Sequence, residues 1–553
     1  MSVGLAVLRH PSASSWGWLR TPIVRPVRIA AADLGSNSLH LLIVQAHPDG
    51  SFDTLVQEKE MLRLGDVVSR EGRISDTAAS TLLECLGRFR TMADNFEAEV
   101  VAYATSAMRE AENSADVVDR IEDETDIRVR VISGRDEARL IFGAVRASVV
   151  LDPAPALCLD LGGGSLEVMV GDAGGLLWSD SVKLGVARLS SELVRNDPLK
   201  ADDVRRLRRR AEAVLTPLAE EVADFRSQML VGTSGTLCDL ARMAALRNGG
   251  DPAALANSVN QLKVRRKDLN AVHQQILELS SAERAKLDGL EGRRADIVAA
   301  GSVVLQVAMD LFGLDELTVG EWALREGMVL DAIGHHDPAD WADDPKAPRR
   351  ASVLSLARRC SWDEGHSSQV ARLALDLFDQ TRLLHRLGED DRELLEFGAL
   401  LHDIGEHVAI EAHHKHSAYL IQNGKLRGFS PAEVAMLATM GRFHRRGDPK
   451  SSFEPYAGLS SADQRRATVL TGLLRVADGL DRSHSGVVDS VDVDVGPERI
   501  RVVAHASGEA ELDRWGVRRK AELLERALDR RLDVTMLEAH HLLPEDEVEA
   551  RGA

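Results

Sequence analysis

The sequence predicts an α/β fold of two lobes, followed by an all-helical domain and a small α/β domain at its C-terminal end. Three observations predict it. A strand, glycine loop, strand unit near residue 30 recurs near residue 160, and such self-similarity is what a repeated structural unit leaves in a sequence. From 353 to about 480 the apolar spacing is helical almost throughout, with histidine unusually frequent. From 491 to 534 apolar residues first alternate and then take helical spacing.

The elements follow in chain order. Residues 1–27 carry Arg9, Arg20 and Arg25 and no acidic side chain. They lack the apolar core and small-residue cleavage site of a secretion signal and are expected to be a disordered extension. Residues 28–150 are expected to form lobe I. A strand at 27–32 enters Asp33-Leu34-Gly35-Ser36-Asn37-Ser38 and a strand at 39–44 returns antiparallel, so the loop is a hairpin tip. A helix at 75–96 and a buried strand at 100–103 lead to Ala104-Thr105-Ser106-Ala107-Met108-Arg109. A strand at 129–132 ends at Ser133-Gly134, and the following helix carries Asp136 and Glu137 in its first turn, where carboxylates suit the positive end of the helix dipole.

Residues 151–335 are expected to form lobe II. A strand from 157 enters Asp160-Leu161-Gly162-Gly163-Gly164-Ser165, and 168–170 returns. A strand at 229–231 runs into Gly232-Thr233-Ser234-Gly235-Thr236, and one at 317–319 leads to Ala323-Leu324-Arg325-Glu326-Gly327. The Pro- and Asp-rich stretch 336–350 reads as a linker, 351–488 as the helical domain, and 489–553 as the α/β appendix.

At 553 residues the chain is long enough for three or four domains. With 44% hydrophobic and 28% charged residues it is an ordinary globular composition. A net charge of −19 argues against general attraction to nucleic acid or to anionic membrane, so a polyanionic ligand must be gripped by local basic groups. Cys85, Cys158, Cys238 and Cys360 lack metal-thiolate spacing and fit a reducing, cytoplasmic compartment. No apolar run approaches the roughly 20 residues that span a bilayer.

The chemistry is expected in the loops. Glycine lets backbone N–H groups approach an anion closely, and successive N–H groups form a phosphate nest, to which Ser36, Ser38 and Ser165 add hydroxyl donors. Asp33 and Asp160 offer hard oxygens to Mg²⁺, usually through water. Either loop alone could be a tight hairpin with an Asx turn; two in register point to phosphate. Arg188, after Gly185, is a further candidate clamp, since a planar fork suits phosphate. Hydrolysis of a phosphoanhydride needs an in-line water, a group to orient it, and positive charge on the equatorial oxygens.

The paired loops resemble those of the actin/hexokinase/Hsp70 (ribonuclease H-like) superfamily. Within it the chain looks most like the exopolyphosphatase and guanosine pentaphosphate phosphohydrolase (Ppx/GppA) family, in 33–38, 104–109, 132–138, 160–167 and 232–236, with 323–327 closing the second lobe. The resemblance implies two actin-like lobes and the following roles. Glu137 matches the carboxylate that activates the attacking water, Glu167 the acidic residue beside it and a metal ligand, and Arg109 the family's arginine, expected to bind phosphate. Gly35, Ser36, Asn37, Ser38, Gly162, Gly163, Gly164 and Ser165 would bind phosphate, as would Gly232, Thr233, Ser234 and Gly235 where nucleotide-binding relatives hold adenosine. The implied activity is Mg²⁺-dependent exopolyphosphatase, which asks for no base pocket, and no aromatic cage for guanine is visible. Guanosine pentaphosphate 5′-phosphohydrolase, or a polyphosphate- or alarmone-binding regulator, is the alternative, and a homodimer is implied. A sugar or acetate kinase would need an ATP pocket and an acceptor site that the sequence does not display.

In the helical domain His366, His402-Asp403 and Asp478 follow the order of ligands in HD-domain phosphohydrolases. They are expected to converge on a divalent metal, with His413, His414, His416 and His444 as candidates for a second ion. The other reading of the same residues is a satisfied polar core of the bundle.

Overall fold

The computed structural model describes residues 27–47, 51–151, 154–336 and 347–538. The expected extension at 1–26 and most of the expected linker, 337–346, lie outside the described residues.

Lobe I is built on β1 (Arg28–Leu34), β2 (Ser38–Ala46), β3 (Phe52–Met61), β4 (Glu99–Ala104) and β5 (Val129–Val131), in the order β3-β2-β1-β4-β5. Lobe II is built on β6 (Ala156–Leu161), β7 (Leu166–Asp172), β8 (Gly175–Val182), β9 (Met229–Thr233), β10 (Lys263–Arg265) and β11 (Glu316–Val319), in the order β10-β11-β9-β6-β7-β8. With β10 set aside, the second order repeats the first. The directions repeat too: β1–β2 and β6–β7 are antiparallel, β1–β4 and β6–β9 parallel. The loop repeat in the sequence is therefore a repeat of whole sheets.

Central strands announce themselves by burial on both faces: all six residues of β6 are buried. The edge strands do not. β3 is rich in charged and polar residues and mostly half-buried or exposed, which blunts an open edge and removes the alternation a reader looks for. The sequence reading accordingly contains neither β3 nor β8.

Two helices exchange lobes. Gly134–Ser148 follows β5 but packs on β7 and β8, whereas Leu324–His336 follows β11 but packs on β1 and β2. They cross, joined by Arg139–Asp331 at 2.8 Å. Ile29 and Leu42 of one sheet meet Cys158 and Met169 of the other in a common core with Phe142, Val145 and Met328 of these helices. The exchange delivers the first turns of both helices, with Glu137 and Glu326, to the space between the lobes.

The helical domain runs from Ala347–Arg359, which takes in the last residues of the expected linker, to Ser461–Leu480. It docks on the lobes where Gly428 N–H donates to the Ser148 carbonyl at 3.0 Å. β12 (Val488–Val495), β13 (Arg499–Ala506) and β14 (Arg531–Glu538) form the last sheet, with helices Glu511–Lys520 and Glu522–Leu528. Val488, Ile500, Val517 and Leu524 share one core with Phe378, Leu401 and Leu470 of the bundle, so the appendix is welded to the helical domain. Among the described residues no helix is long and apolar enough to cross a membrane.

Candidate active site

The two glycine loops join equivalent strands. Leu34 pairs with Leu39 across the first, and Leu161 with Leu166 across the second. The loops meet face to face. A Cβ on Gly164 would lie 2.6 Å from Ser36 Oγ and 2.7 Å from Ser106 Oγ, so a side chain here would have to displace both hydroxyls. Ser36 Oγ accepts from the Ala107 N–H at 3.1 Å, tying the first loop to the segment after β4.

A cavity of about 810 Å³ opens between the lobes and extends to the helical domain. Asp33, Gly35, Ser36, Asn37, Ser38, Glu137, Asp160, Gly162, Gly163, Gly164, Ser165, Ser234 and Gly235 line it, so most of the residues expected to bind phosphate or metal are brought together. Gly232 and Thr233 are not in its wall. Gly232 packs against Leu237 and Leu317, and Thr233 sits beside Asp160 in the parallel register.

Its floor is acidic. Burial raises Asp33 from 3.8 to about 7, helped by Glu137, Asp160 and Glu326 and opposed by Arg325. Asp160 also rises to about 7 through burial, although Thr233 hydrogen-bonds its anion. Asp33 Oδ1 is buried with no hydrogen-bond partner, so this carboxylate is built to meet something positive. Glu137 is buried and lies 2.7 Å from Arg109 Nη1, which also donates to the Ile132 carbonyl at 3.0 Å. Burial raises Glu137, and Arg109 works against that rise. Arg109, expected to bind phosphate, is outside the cavity wall and is taken up by Glu137 and the Ile132 carbonyl instead. Glu167 faces Asp160 across β6–β7 but lies outside the cavity wall, where its Oε1 accepts from Ser181 Oγ at 2.8 Å; burial and the neighbouring Glu137 and Asp160 carry it well above the ordinary carboxylate range.

Arg188 is placed differently from the expectation. Its Nη2 donates to Glu110 Oε1 at 2.7 Å and its Nε to the Gly164 carbonyl at 3.1 Å, so it braces lobe II against lobe I from behind the loop instead of reaching into the cavity. The physical reason is the adjacent carboxylate, which competes for the same fork.

The wall beside the floor is basic. One rung of sheet I reads Asp33, His40, Lys59 across β1, β2 and β3. Burial, then Arg325, Lys59 and Arg294, hold His40 well below its ordinary value, so the potential turns from negative to positive within that rung. Several wall cations already have partners. Arg294 meets Asp239 at 2.8 Å, Lys59 meets Glu291 at 3.2 Å and Arg359 meets Asp53 at 3.3 Å. An arriving polyanion must compete with these carboxylates. Sequence reading missed this wall because its residues come from five separate segments; only Arg325 lay within a recognised motif.

At the third glycine loop a Cβ on Gly235 would collide with the Arg294 guanidinium. Ser234, at φ 79°, holds a left-handed conformation unusual for a side-chain-bearing residue, and its buried hydroxyl makes no hydrogen bond. The cavity's aromatics, Phe52 and Trp322, stack on each other at 5.0 Å, with the Arg427 guanidinium 5.0 Å from the Trp322 ring centre.

A second cluster lies in the helical domain. His366, His402 and Asp478 offer ligand atoms within 4.8 Å of one another, as do Asp403, His413 and His444. His366 opens the helix Glu364–Gln380, His402 and Asp403 follow the helix Glu389–Leu401, and Asp478 ends Ser461–Leu480. His413 and His444 join the cluster; His414 and His416 do not. Burial disfavours charge on His402, yet Asp403 outweighs it and lifts the imidazole to about 9. All of these residues were named from sequence, and their pairing into two groups was not.

The model of the Ppx/GppA phosphatase family matches residues 43–336, and that of Ppx/GppA phosphatase domain III matches 349–527. Exopolyphosphatase 1 of Mycobacterium leprae is 35% identical over 308 residues, covering 55% of this chain and 89% of the relative. Exopolyphosphatase 1 of Mycobacterium tuberculosis (strain H37Rv) is 34% identical over 306 residues, covering 55% and 88%. The crystal structure of an exopolyphosphatase from Cytophaga hutchinsonii superimposes with a TM-score of 0.52 at 31% identity, covering 57% of this chain and all of that one.

Proposed function

The chain belongs to the Ppx/GppA phosphatase family, and we propose from that premise that it is an exopolyphosphatase, removing terminal orthophosphate from inorganic polyphosphate in the interlobe cavity. The observation that carries the reading is the placement of Glu137, held at 2.7 Å by Arg109 on an acidic floor between two apposed phosphate-type loops. The repeated sheet order is the one an actin-like pair of lobes requires. The relatives named exopolyphosphatase support the substrate.

The buried, unpartnered Asp33 Oδ1 and the second carboxylate at Asp160 suit Mg²⁺; Glu167 stands behind Asp160 as its support or as a further ligand. Bound there, Mg²⁺ supplies the positive charge that phosphoryl transfer demands. The loop N–H groups and the hydroxyls of Ser36, Ser38 and Ser165 orient the terminal phosphate. Glu137 accepts a proton from the attacking water as that oxygen bonds to phosphorus and the bridging P–O bond breaks, leaving a chain shorter by one phosphate. Arg109, 2.7 Å away, favours the anionic form of Glu137 against its burial. The basic wall from Lys59 and Arg294 toward Arg359 takes the remaining chain.

Guanosine pentaphosphate fits less well. Arg294 covers Gly235, where a nucleoside would sit, and the aromatic pair of the cavity is already stacked. A purely regulatory binder has no use for Glu137. The helical domain completes the reading as an HD-like module that holds a divalent metal at His366, His402, Asp403 and Asp478. A homodimer in the cytoplasm, without nucleic acid or membrane partners, belongs to the same reading and rests on the family resemblance and the composition.

Glu137→Gln tests the core of it. Phosphate release from long-chain polyphosphate with Mg²⁺ should fall by about 10³-fold with unchanged circular dichroism; activity within a few-fold of the unsubstituted protein would remove Glu137 from its role.

A further inference from the structure

Residues 323–327 close the second lobe, yet their arginine turns to the first. Arg325 Nη1 lies 3.4 Å from His40 Nδ1 on β2. The motif itself holds the guanidinium there. Glu326 Oε1 stands 3.4 Å from Arg325 Nη2, and Glu326 Oε2 accepts from the Ala323 N–H at 3.0 Å. A guanidinium has only hydrogens to offer, so His40 Nδ1 is the accepting nitrogen and the ring hydrogen sits on Nε2. Nε2 lies 2.7 Å from Ser38 Oγ. The bond between them therefore has one direction: His40 donates and Ser38 accepts.

Ser38 and His40 alternate along β2 with the fully buried Leu39, so both look onto the interlobe cavity, which they line. The Ser38 backbone is fixed too, its carbonyl accepting from the Gly35 N–H at 3.2 Å. Among the described residues the Ser38 hydroxyl has no partner besides His40. A serine hydroxyl can donate or accept, and the choice matters here because the oxygens of an ionised phosphate only accept. With a lone pair of Oγ taken by His40, the Ser38 hydrogen is left to turn into the cavity. The opposite tautomer would draw that hydrogen to the ring and present a lone pair to the anion.

We propose that His40 is a positioning residue of this site: it locks Ser38 as a donor to the terminal phosphate, and Arg325 selects the tautomer that does so. The inference rests on the exopolyphosphatase reading for its substrate, but not for the direction of the hydrogen bond. His40 acts only through Ser38. Because Arg325 follows β11 of lobe II while its helix, Leu324–His336, packs on β1 and β2, the second lobe sets the polarity of the first lobe's phosphate loop.

The test uses the full chain with long-chain polyphosphate and Mg²⁺. His40→Leu should lower kcat/KM by about 10- to 100-fold, as expected for a lost hydrogen bond to a charged group. His40→Gln should recover most of that loss, since its amide N–H can take the place of Nε2–H while its carbonyl meets Arg325. In a Ser38→Ala background, His40→Leu should cost less than about twofold more. In ¹⁵N-histidine-labelled protein, the ring signals that His40→Leu removes should be those of an Nε2–H imidazole, and Arg325→Met should convert them to a mixture of tautomers. Losses that multiply in the Ser38→Ala/His40→Leu pair, or no recovery by His40→Gln, overturn the action through Ser38. An Nδ1–H ring in the unsubstituted protein, or an unchanged tautomer in Arg325→Met, overturns the selection by Arg325. Failure of the unsubstituted chain to hydrolyse polyphosphate overturns the substrate reading instead, and the ring spectra then decide the direction of the hydrogen bond by themselves.

Discussion

Asp33→Asn turns the acidic floor into a measurable stability. Burial raises the Asp33 carboxyl from 3.8 to about 7 in the folded protein, so the fold prefers it protonated. Below pH 3.8 the group is neutral in both folded and unfolded chains and costs nothing. As pH rises from there toward 7, the unfolded chain gives up the proton and the folded chain keeps it, so stability falls; above about 7 the loss is complete. The difference between 3.8 and about 7 corresponds to about 4 kcal/mol as an upper figure. Asparagine has no charge to bury. Without divalent ions, the substitution should therefore stabilise the lobes, by an amount that grows by about 2 to 3 kcal/mol between about pH 5 and pH 8. In a domain pair of this size that is roughly 5 °C in Tm. Scanning calorimetry is the assay, because it separates the transitions of a multidomain chain. Mg²⁺ at about pH 8 should raise the unsubstituted transition and leave that of the Asp33→Asn variant nearly unmoved. An effect of Asp33→Asn that is equal at both pH values, or destabilising at the higher one, would refute the buried-charge reasoning.

Arg109→Met removes the guanidinium that opposes the rise of Glu137. The acid limb of the kcat–pH profile should then move to higher pH, because burial raises Glu137 and the guanidinium that opposes the rise is gone; an unshifted limb would separate Arg109 from Glu137. Gly164→Ala puts a methyl group 2.6 Å from Ser36 Oγ and 2.7 Å from Ser106 Oγ. Spreading the loops should lower kcat by about 100-fold while leaving Tm within a few degrees, and an unimpaired variant would mean that the loops need not meet.

The site was legible in the sequence wherever function is written locally. The two Asp-to-Ser loops and the helix bearing Glu137 each announce themselves within a few residues, and they line one cavity; the histidines and aspartates named in the helical domain lie apart, in a second cluster. What is written across distance was not legible. The wall cations lie on β3, after the third glycine loop, and on the helical domain, so no window of sequence contains them together. Arg188 shows the converse: a guanidinium in a promising position is claimed by Glu110, 78 residues earlier. β3 and β8 went unread because edge strands carry little hydrophobic pattern. The welding of the appendix to the bundle depends on apolar contacts between Val517 and Leu524 and the helical core, which only the folded chain displays.

The central claim is that this cavity hydrolyses the ends of polyphosphate chains without recognising a nucleoside. Initial rates of orthophosphate release from long-chain polyphosphate, guanosine pentaphosphate and ATP, measured with one preparation at one Mg²⁺ concentration, test it most directly. The account predicts that polyphosphate has the highest kcat/KM of the three, and that release from it is lost with EDTA and with Glu137→Gln. Faster turnover of guanosine pentaphosphate, or polyphosphate hydrolysis that survives Glu137→Gln, would contradict it.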